Sequence, residues 1–160
     1  MKIIVVLLSL IFTSCGESTG VRQTYVLTTG TTSATYYPVG VALATLVSAN
    51  EESEFALTAI SSAGSLENVK LLRDNQAQFA TMLSIFATWA YEGEGPIVRP
   101  QKHMRSVTAL WPNVEHLLLR SDFVTEGTFS DFGRLNGRRV SIGMRNSGAE
   151  ITGFYILDKL

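Results

Sequence analysis

The apolar positions along this chain switch repeatedly between a period of two and a period near 3.6, which predicts alternating strands and helices. Thr24 to Thr29 is β-branched and aromatic and predicts a strand. After the small, hydroxyl-rich turn Gly30 to Thr35, Val39, Ala42, Leu43, Leu46 and Val47 fall on one helical face, predicting a helix over Pro38 to Ala49. Pro38 suits a first turn, where a missing N–H costs nothing. Glu54 to Ile60 alternates again, with Phe55, Leu57 and Ala59 on one side. Ser61 to Ser65 is a second small hydroxyl turn. Leu66 to Asp74 predicts a helix with Ser65 as N-cap. Phe79 to Leu83 predicts a short strand, and Ser84 to Tyr91 a helix ending at Gly93.

Beyond Gly93 the pattern loosens. Pro96 and Pro100 mark a loop. Ser106 to Trp111, Glu115 to Arg120 and Arg139 to Gly143 predict strands, Ser130 to Gly137 a short helix, and Ala149 to Leu160 a final helix after the turn Met144 to Gly148. The repeating strand–helix order implies an α/β fold of βαβ units with a mostly parallel sheet. Right-handed crossovers then place the loops after the strands on one edge, where small molecules bind in open α/β sheets.

The N-terminus reads as an address. Met1-Lys2 is positive, Ile3 to Phe12 is apolar apart from Ser9, and Thr13, Ser14 and Cys15 follow. About ten apolar residues are too few to cross a bilayer as a helix, and the pattern describes a secretory signal peptide. Phe12-Thr13-Ser14-Cys15 resembles the bacterial lipobox, with Phe where Leu is usual. Residues 1–14 are thus expected to be a lipoprotein signal peptide, Cys15 the acylated residue holding the domain at a membrane in the periplasm or cell envelope, and 15–23 a flexible tether.

Composition removes other classes. With 46% hydrophobic residues the chain can bury a core, and 13 basic against 14 acidic residues give no excess to neutralise nucleic acid. One cysteine makes neither an internal disulfide nor a cysteine-based metal cluster. Ser62 lacks the first glycine of a nucleophile elbow, His103 and His116 have no patterned partner, and no phosphate or dinucleotide loop is present. Neither enzyme, metal nor cofactor is expected. Candidate chemistry sits instead in three turns that precede helices: Gly30 to Thr35, Ser61 to Ser65, and Arg145 to Gly148. Free amides and partial positive charge at helix starts, with neutral hydroxyls beside them, suit a carboxylate. Each turn alone reads more readily as a set of helix caps, and it is the three on one predicted edge that make a ligand site an equal reading. Tyr36 or Tyr37 offers a ring and a hydroxyl to a ligand, or packs in the core.

The ordered motifs resemble one family. Gly30-Thr31 through Thr35-Tyr36-Tyr37-Pro38-Val39-Gly40, Ser62-Ala63-Gly64-Ser65-Leu66-Glu67-Asn68 with Leu71-Leu72, Trp111-Pro112 with His116 to Arg120, Leu135 to Gly143, and Asn146-Ser147-Gly148-Ala149-Glu150 are similar to the successive motifs of TAXI-type solute-binding subunits of TRAP transporters. The resemblance implies a two-lobed periplasmic-binding-protein-like fold, with lobe I over 24–114 and an incomplete lobe II over 115–160. It also implies a small carboxylate ligand, such as a glutamate-like amino acid or an organic acid, handed to a TRAP permease driven by an ion gradient. By motif, the ligand-binding residues are Gly30, Thr31, Ser33, Thr35, Tyr36, Ser62, Gly64, Ser65 and Ser147. Thr32-Ser33-Ala34 replaces the family's glycine-rich stretch, and Leu83-Ser84-Ile85 replaces a polar one. An exported sensory receptor and an exported α/β hydrolase are the alternatives.

Overall fold

The computed structural model describes residues 22–159, so the expected signal peptide and Cys15 lie outside the described residues. β1 (Gln23–Thr28), α1 (Tyr36–Ala49), β2 (Phe55–Ile60), α2 (Ser65–Arg73), β3 (Phe79–Ala80) and α3 (Ser84–Glu92) follow in order, and α4 (Gly148–Leu157) closes the described chain. The strands form one parallel sheet in the order β2-β1-β3. Because all three run the same way, the loops that follow them leave from one edge. The fold is α/β, as the alternation predicts.

β1 is the central strand, and its burial deepens toward that edge, with Leu27 5% exposed and Thr28 and Thr29 fully buried. α1 packs on β1 and β2, while α2 packs on β3 and α3. α1 approaches closely at Gly40, where an added Cβ would overlap Thr29 Cγ2. Beneath α2 and α3, Leu66, Val69, Phe86, Ala90 and Ile97 form the core, and Ile151 of α4 packs against it. Across the three strands, Tyr25, Phe55 and Phe79 cluster, with the rings of Phe55 and Phe79 stacked at 5.9 Å.

β2 is an edge strand, and side chains cover its open side. The Ser48 hydroxyl accepts from Leu57 N at 2.9 Å and donates to Leu57 O at 3.0 Å, while Ser53 donates to Phe55 O at 2.7 Å. Polar groups that would otherwise recruit another strand are thereby occupied. Arg22, just before β1, donates to the carbonyls of Ser48 and Asn50 at 2.8 Å each and so caps the C-terminus of α1, the end where a cation is favourable.

Several predicted elements are corrected. α1 begins two residues before Pro38, so Tyr36 and Tyr37 belong to the helix. β3 is two residues long because Thr81 to Leu83 leaves the sheet to enter α3. Ser65 is the first residue of α2, and Gly64 is its N-cap. Ser106 to Trp111, Glu115 to Arg120 and Arg139 to Gly143 form no strand among the described residues, and Ser130 to Gly137 lies largely in a 3₁₀ segment, Phe129–Leu135. Alternation there has no neighbouring strand to pair with, and a strand is stable only within a ladder. Leu118 and Val107 accordingly stand 94% and 81% exposed. In the same region Asp131 is buried and its carboxylate accepts from the amides of Thr125, Glu126 and Gly127, organising the loop that leads into the 3₁₀ segment.

Candidate ligand-binding site

The first two hydroxyl turns are tied together by backbone. Thr29 N donates to Ile60 O at 3.1 Å and Ser62 N donates to Gly30 O at 3.0 Å, so the parallel pairing of β1 with β2 continues past both strand ends. Asn68, fully buried on α2, joins the third loop to them. Its Oδ1 accepts from Thr28 Oγ1 at 2.7 Å and from Ser62 Oγ at 2.6 Å; its Nδ2 donates to Thr29 O and Thr81 O at 2.6 Å each. All four hydrogen-bonding capacities of the amide are used. Asn68 was not among the residues expected to matter. Its signals in the sequence are its place at the end of the second motif and its polar character on the inward face of a helix, next to Leu66 and Val69.

The third turn meets the second. The backbone of Ser147 and Gly148 lies against Gly64, where an added Cβ would fall 3.6 Å from Ser147 Cα, and Gly148 lies against Ser65 and Leu83. Lys70 of α2 donates to Asn146 Oδ1 at 3.1 Å across the same junction. The three turns therefore converge at one sheet edge.

Their hydroxyls divide into two groups. Those of Ser62, Ser65 and Ser147 are built into the scaffold. Ser62 Oγ donates to Asn68 and accepts from Gly64 N at 3.0 Å. Ser65 Oγ accepts from Leu83 N at 3.1 Å, and Ser147 Oγ caps α4 by accepting from Glu150 N at 3.0 Å. The Glu150 carboxylate in turn accepts from Asn146 N at 2.8 Å, one residue before the cap, tying the turn to the helix start. Thr31, Ser33 and Thr35 keep their hydroxyls toward solvent, with Thr31 and Ser33 3.4 Å apart. No side-chain hydrogen bond caps α1 at Thr35 or α2 at Gly64, but Tyr37 N donates to Ala34 O, Gly64 N to Ser62 Oγ and Ala63 N to the Glu67 carboxylate, and Gly64 and Ser65 are buried. Gly64 shapes the entry to α2: its φ of 118° and ψ of −152° are open essentially to glycine alone. The buried Thr81 hydroxyl, one residue past β3 on the same edge, has no hydrogen-bond partner among the described residues.

Tyr36 stands half-buried at the start of α1, beside Gly30 and edge-on to Trp111, with ring centroids 5.8 Å apart. Burial pushes its phenol pKa above the ordinary value, the Glu115 carboxylate pushes it further, and the Ser65 hydroxyl pulls it part of the way back. Tyr36, Ser65, Trp111 and Glu115 thus share one neighbourhood, although they come from separate segments that only the fold brings together. Two grooves of about 720 and 510 Å³ lie elsewhere. One runs along Trp89, Pro96 and Phe154, the other between α1 and β2, and no residue of the three turns lines either. Both are lined mostly by apolar residues, and neither gathers the hydroxyls and helix starts that the three turns bring together.

Acyl-transfer chemistry has no support in this geometry: the Ser62 hydroxyl is turned to Asn68, and no histidine among the described residues bonds to it. No three His, Cys, Asp or Glu side chains among the described residues gather closely enough to hold a metal ion.

The model of the NMT1-like family matches residues 27–160, which includes all three turns and every helix described above. Its members are periplasmic-binding-protein-like chains, a class that binds solutes for transport and does not catalyse a reaction. The chain belongs to the NMT1-like family.

Proposed function

We propose that this chain is the extracytoplasmic solute-binding subunit of a TRAP-type transporter of the TAXI kind, and that it captures a small carboxylate for uptake. The observation that carries this reading is the uncapped start of α2 at Gly64, held beside the Gly30–Thr35 turn by the bond from Ser62 N to Gly30 O. The helix start there supplies partial positive charge, and Thr31, Ser33, Thr35 and Tyr36 supply neutral hydroxyls. An anion so placed needs no basic side chain. In this reading Gly30, Thr31, Ser33, Thr35, Tyr36 and Gly64 meet the ligand, while Ser62, Ser65 and Ser147 hold the loops that present it.

The motifs that resemble TAXI subunits favour a TRAP permease as the partner, with the signal-like start of the chain and Cys15 anchoring the subunit at the membrane surface. Isothermal titration calorimetry of the purified chain against a panel of organic acids and amino acids tests the ligand class. Saturable 1:1 binding of a carboxylate, weakened about tenfold or more by Thr35→Ala together with Thr31→Ala, is the expected result. Binding confined to uncharged solutes would refute it. Mass spectrometry of the mature protein tests the anchor through a diacylglyceryl group on Cys15.

A further inference from the structure

Just after the 3₁₀ segment, Arg138 N donates to Leu135 O at 2.8 Å and closes a four-residue turn. Asn136, at its second position, has φ −54° and ψ 127°, and Gly137, at its third, has φ 74°. These angles match a type II turn, which favours glycine at the third position. Both residues are exposed, and a Cβ added at Gly137 would meet nothing within 4 Å. The chain has six asparagines, and Asn136 is the one that precedes a glycine. The other five hold their side-chain amides in hydrogen bonds: Asn68 in the buried network, Asn50 with Glu52 N, Asn75 with Gln78, Asn113 with Glu115 and Asn146 with Lys70. Among the described residues neither the Asn136 side chain nor Gly137 N makes a hydrogen bond.

We propose that Asn136 is a site of spontaneous deamidation through a cyclic imide formed with Gly137. Asparagine is among the chemically labile side chains. The Gly137 nitrogen gives up its proton and attacks Cγ of Asn136. A C–N bond forms, and the side-chain nitrogen takes up a proton and leaves as ammonia. Water then adds to one of the two imide carbonyls and opens the ring. The product is an aspartyl residue or, with the chain rerouted through the side-chain carbon, an isoaspartyl one. One water is consumed and one ammonia released, and nothing is oxidised or reduced. Ring closure requires ψ of Asn136 to turn away from 127°, and the one hydrogen bond closing the turn, from Arg138 N to Leu135 O, is what resists it. Gly137 has no Cβ to shield its nitrogen or restrict that rotation. The new carboxylate falls just before Arg138 and Arg139, and among the described residues neither is already in an ion pair.

Incubating the purified full chain at mildly alkaline pH and mapping its tryptic peptides by mass spectrometry tests this. The expected result is that the peptide beginning at Leu135 gains the mass of an acid over an amide and separates into aspartyl and isoaspartyl forms. Its conversion should be about tenfold or more faster than that of any peptide carrying another asparagine, a barrier lower by about 1.4 kcal/mol. Asn136→Gln, which would have to close a larger ring, abolishes the conversion, and circular dichroism checks that the variant keeps its fold. Gly137→Ala slows it by about tenfold or more. Incubation in urea should free the other asparagines while changing Asn136 little. A peptide at Asn136 that stays unchanged, or that converts only once the chain is unfolded, would overturn the proposal. A product that is purely aspartyl would overturn the imide route.

Discussion

The Ser62 hydroxyl lies 2.6 Å from Oδ1 of Asn68, and this bond carries the loop after β2 onto a side chain that also holds the loops after β1 and β3. The sheet edge is therefore organised by one buried amide. Its four bonds reach buried or part-buried groups of all three loops, so its loss disturbs the three at once. The ligand-facing turns inherit their positions from it.

Asn68→Ala is expected to destabilise the fold by about 2–4 kcal/mol, because several buried polar groups lose their partners together. Asn68→Asp should be worse. It keeps the acceptor for Thr28 and Ser62 but turns an acceptor toward the carbonyls of Thr29 and Thr81. Urea denaturation followed by circular dichroism measures both, and an Asn68→Asp variant as stable as the parent would contradict the assigned network.

At Gly64, Gly64→Ala should cost about 1–3 kcal/mol from backbone strain alone, since a Cβ there meets only ordinary contacts, the nearest at 3.6 Å. The same substitution shifts the first amides of α2. Its effect on carboxylate affinity should therefore exceed its effect on stability, which parallel calorimetry and unfolding experiments separate.

Asp131 gives the stability a defined pH dependence. Burial by itself would raise its pKa, but the amides of Thr125, Gly127 and Glu126, with Arg134 nearby, outweigh burial and hold it below the ordinary 3.8. A group whose folded pKa is depressed stabilises fully above its unfolded pKa and loses that contribution as pH falls through the folded value. The Asp131→Asn variant should thus be less stable than the parent at pH 7, and the gap should close as pH drops below about 4. Urea midpoints at pH 7 and pH 3 check the sign.

Tyr36 titrates in the opposite sense. Its raised pKa means that folding disfavours the phenolate, so the associated stability is intact below pH 10 and is lost as pH rises through the folded value. Glu115→Gln removes one of the causes and should bring the phenol back toward 10.0, whereas Ser65→Ala should move it further up. Ultraviolet titration, with Tyr36→Phe as the difference reference, resolves this one phenol among the five tyrosines.

Helix and strand order through Gly93 was legible because each element there has both its own pattern and a neighbour to bury against. Leu27, Leu66, Val69 and Phe86 satisfy period and packing together. Residues 106–143 show the limit. Val107, Leu118 and Val140 carry the alternation of strands, but without a paired ladder the pattern does not become one. Within the candidate site, the three turns were visible as clusters of Gly, Ser and Thr. Which of their hydroxyls face outward was not, since Ser62 and Thr31 look alike until Asn68 claims one of them.

By itself the sequence determined the α/β alternation, the three turns before helices and the family motifs, because these depend on residue type and spacing along the chain. Tertiary structure alone decided that Asn68 unites three loops, that Ser147 is spent as a cap, and that Trp111 meets Tyr36 edge-on. Those relationships join residues far apart in the chain. A hydrogen bond or a charge acts through space over a few ångströms, and no local pattern records which distant partners the fold will bring within that reach.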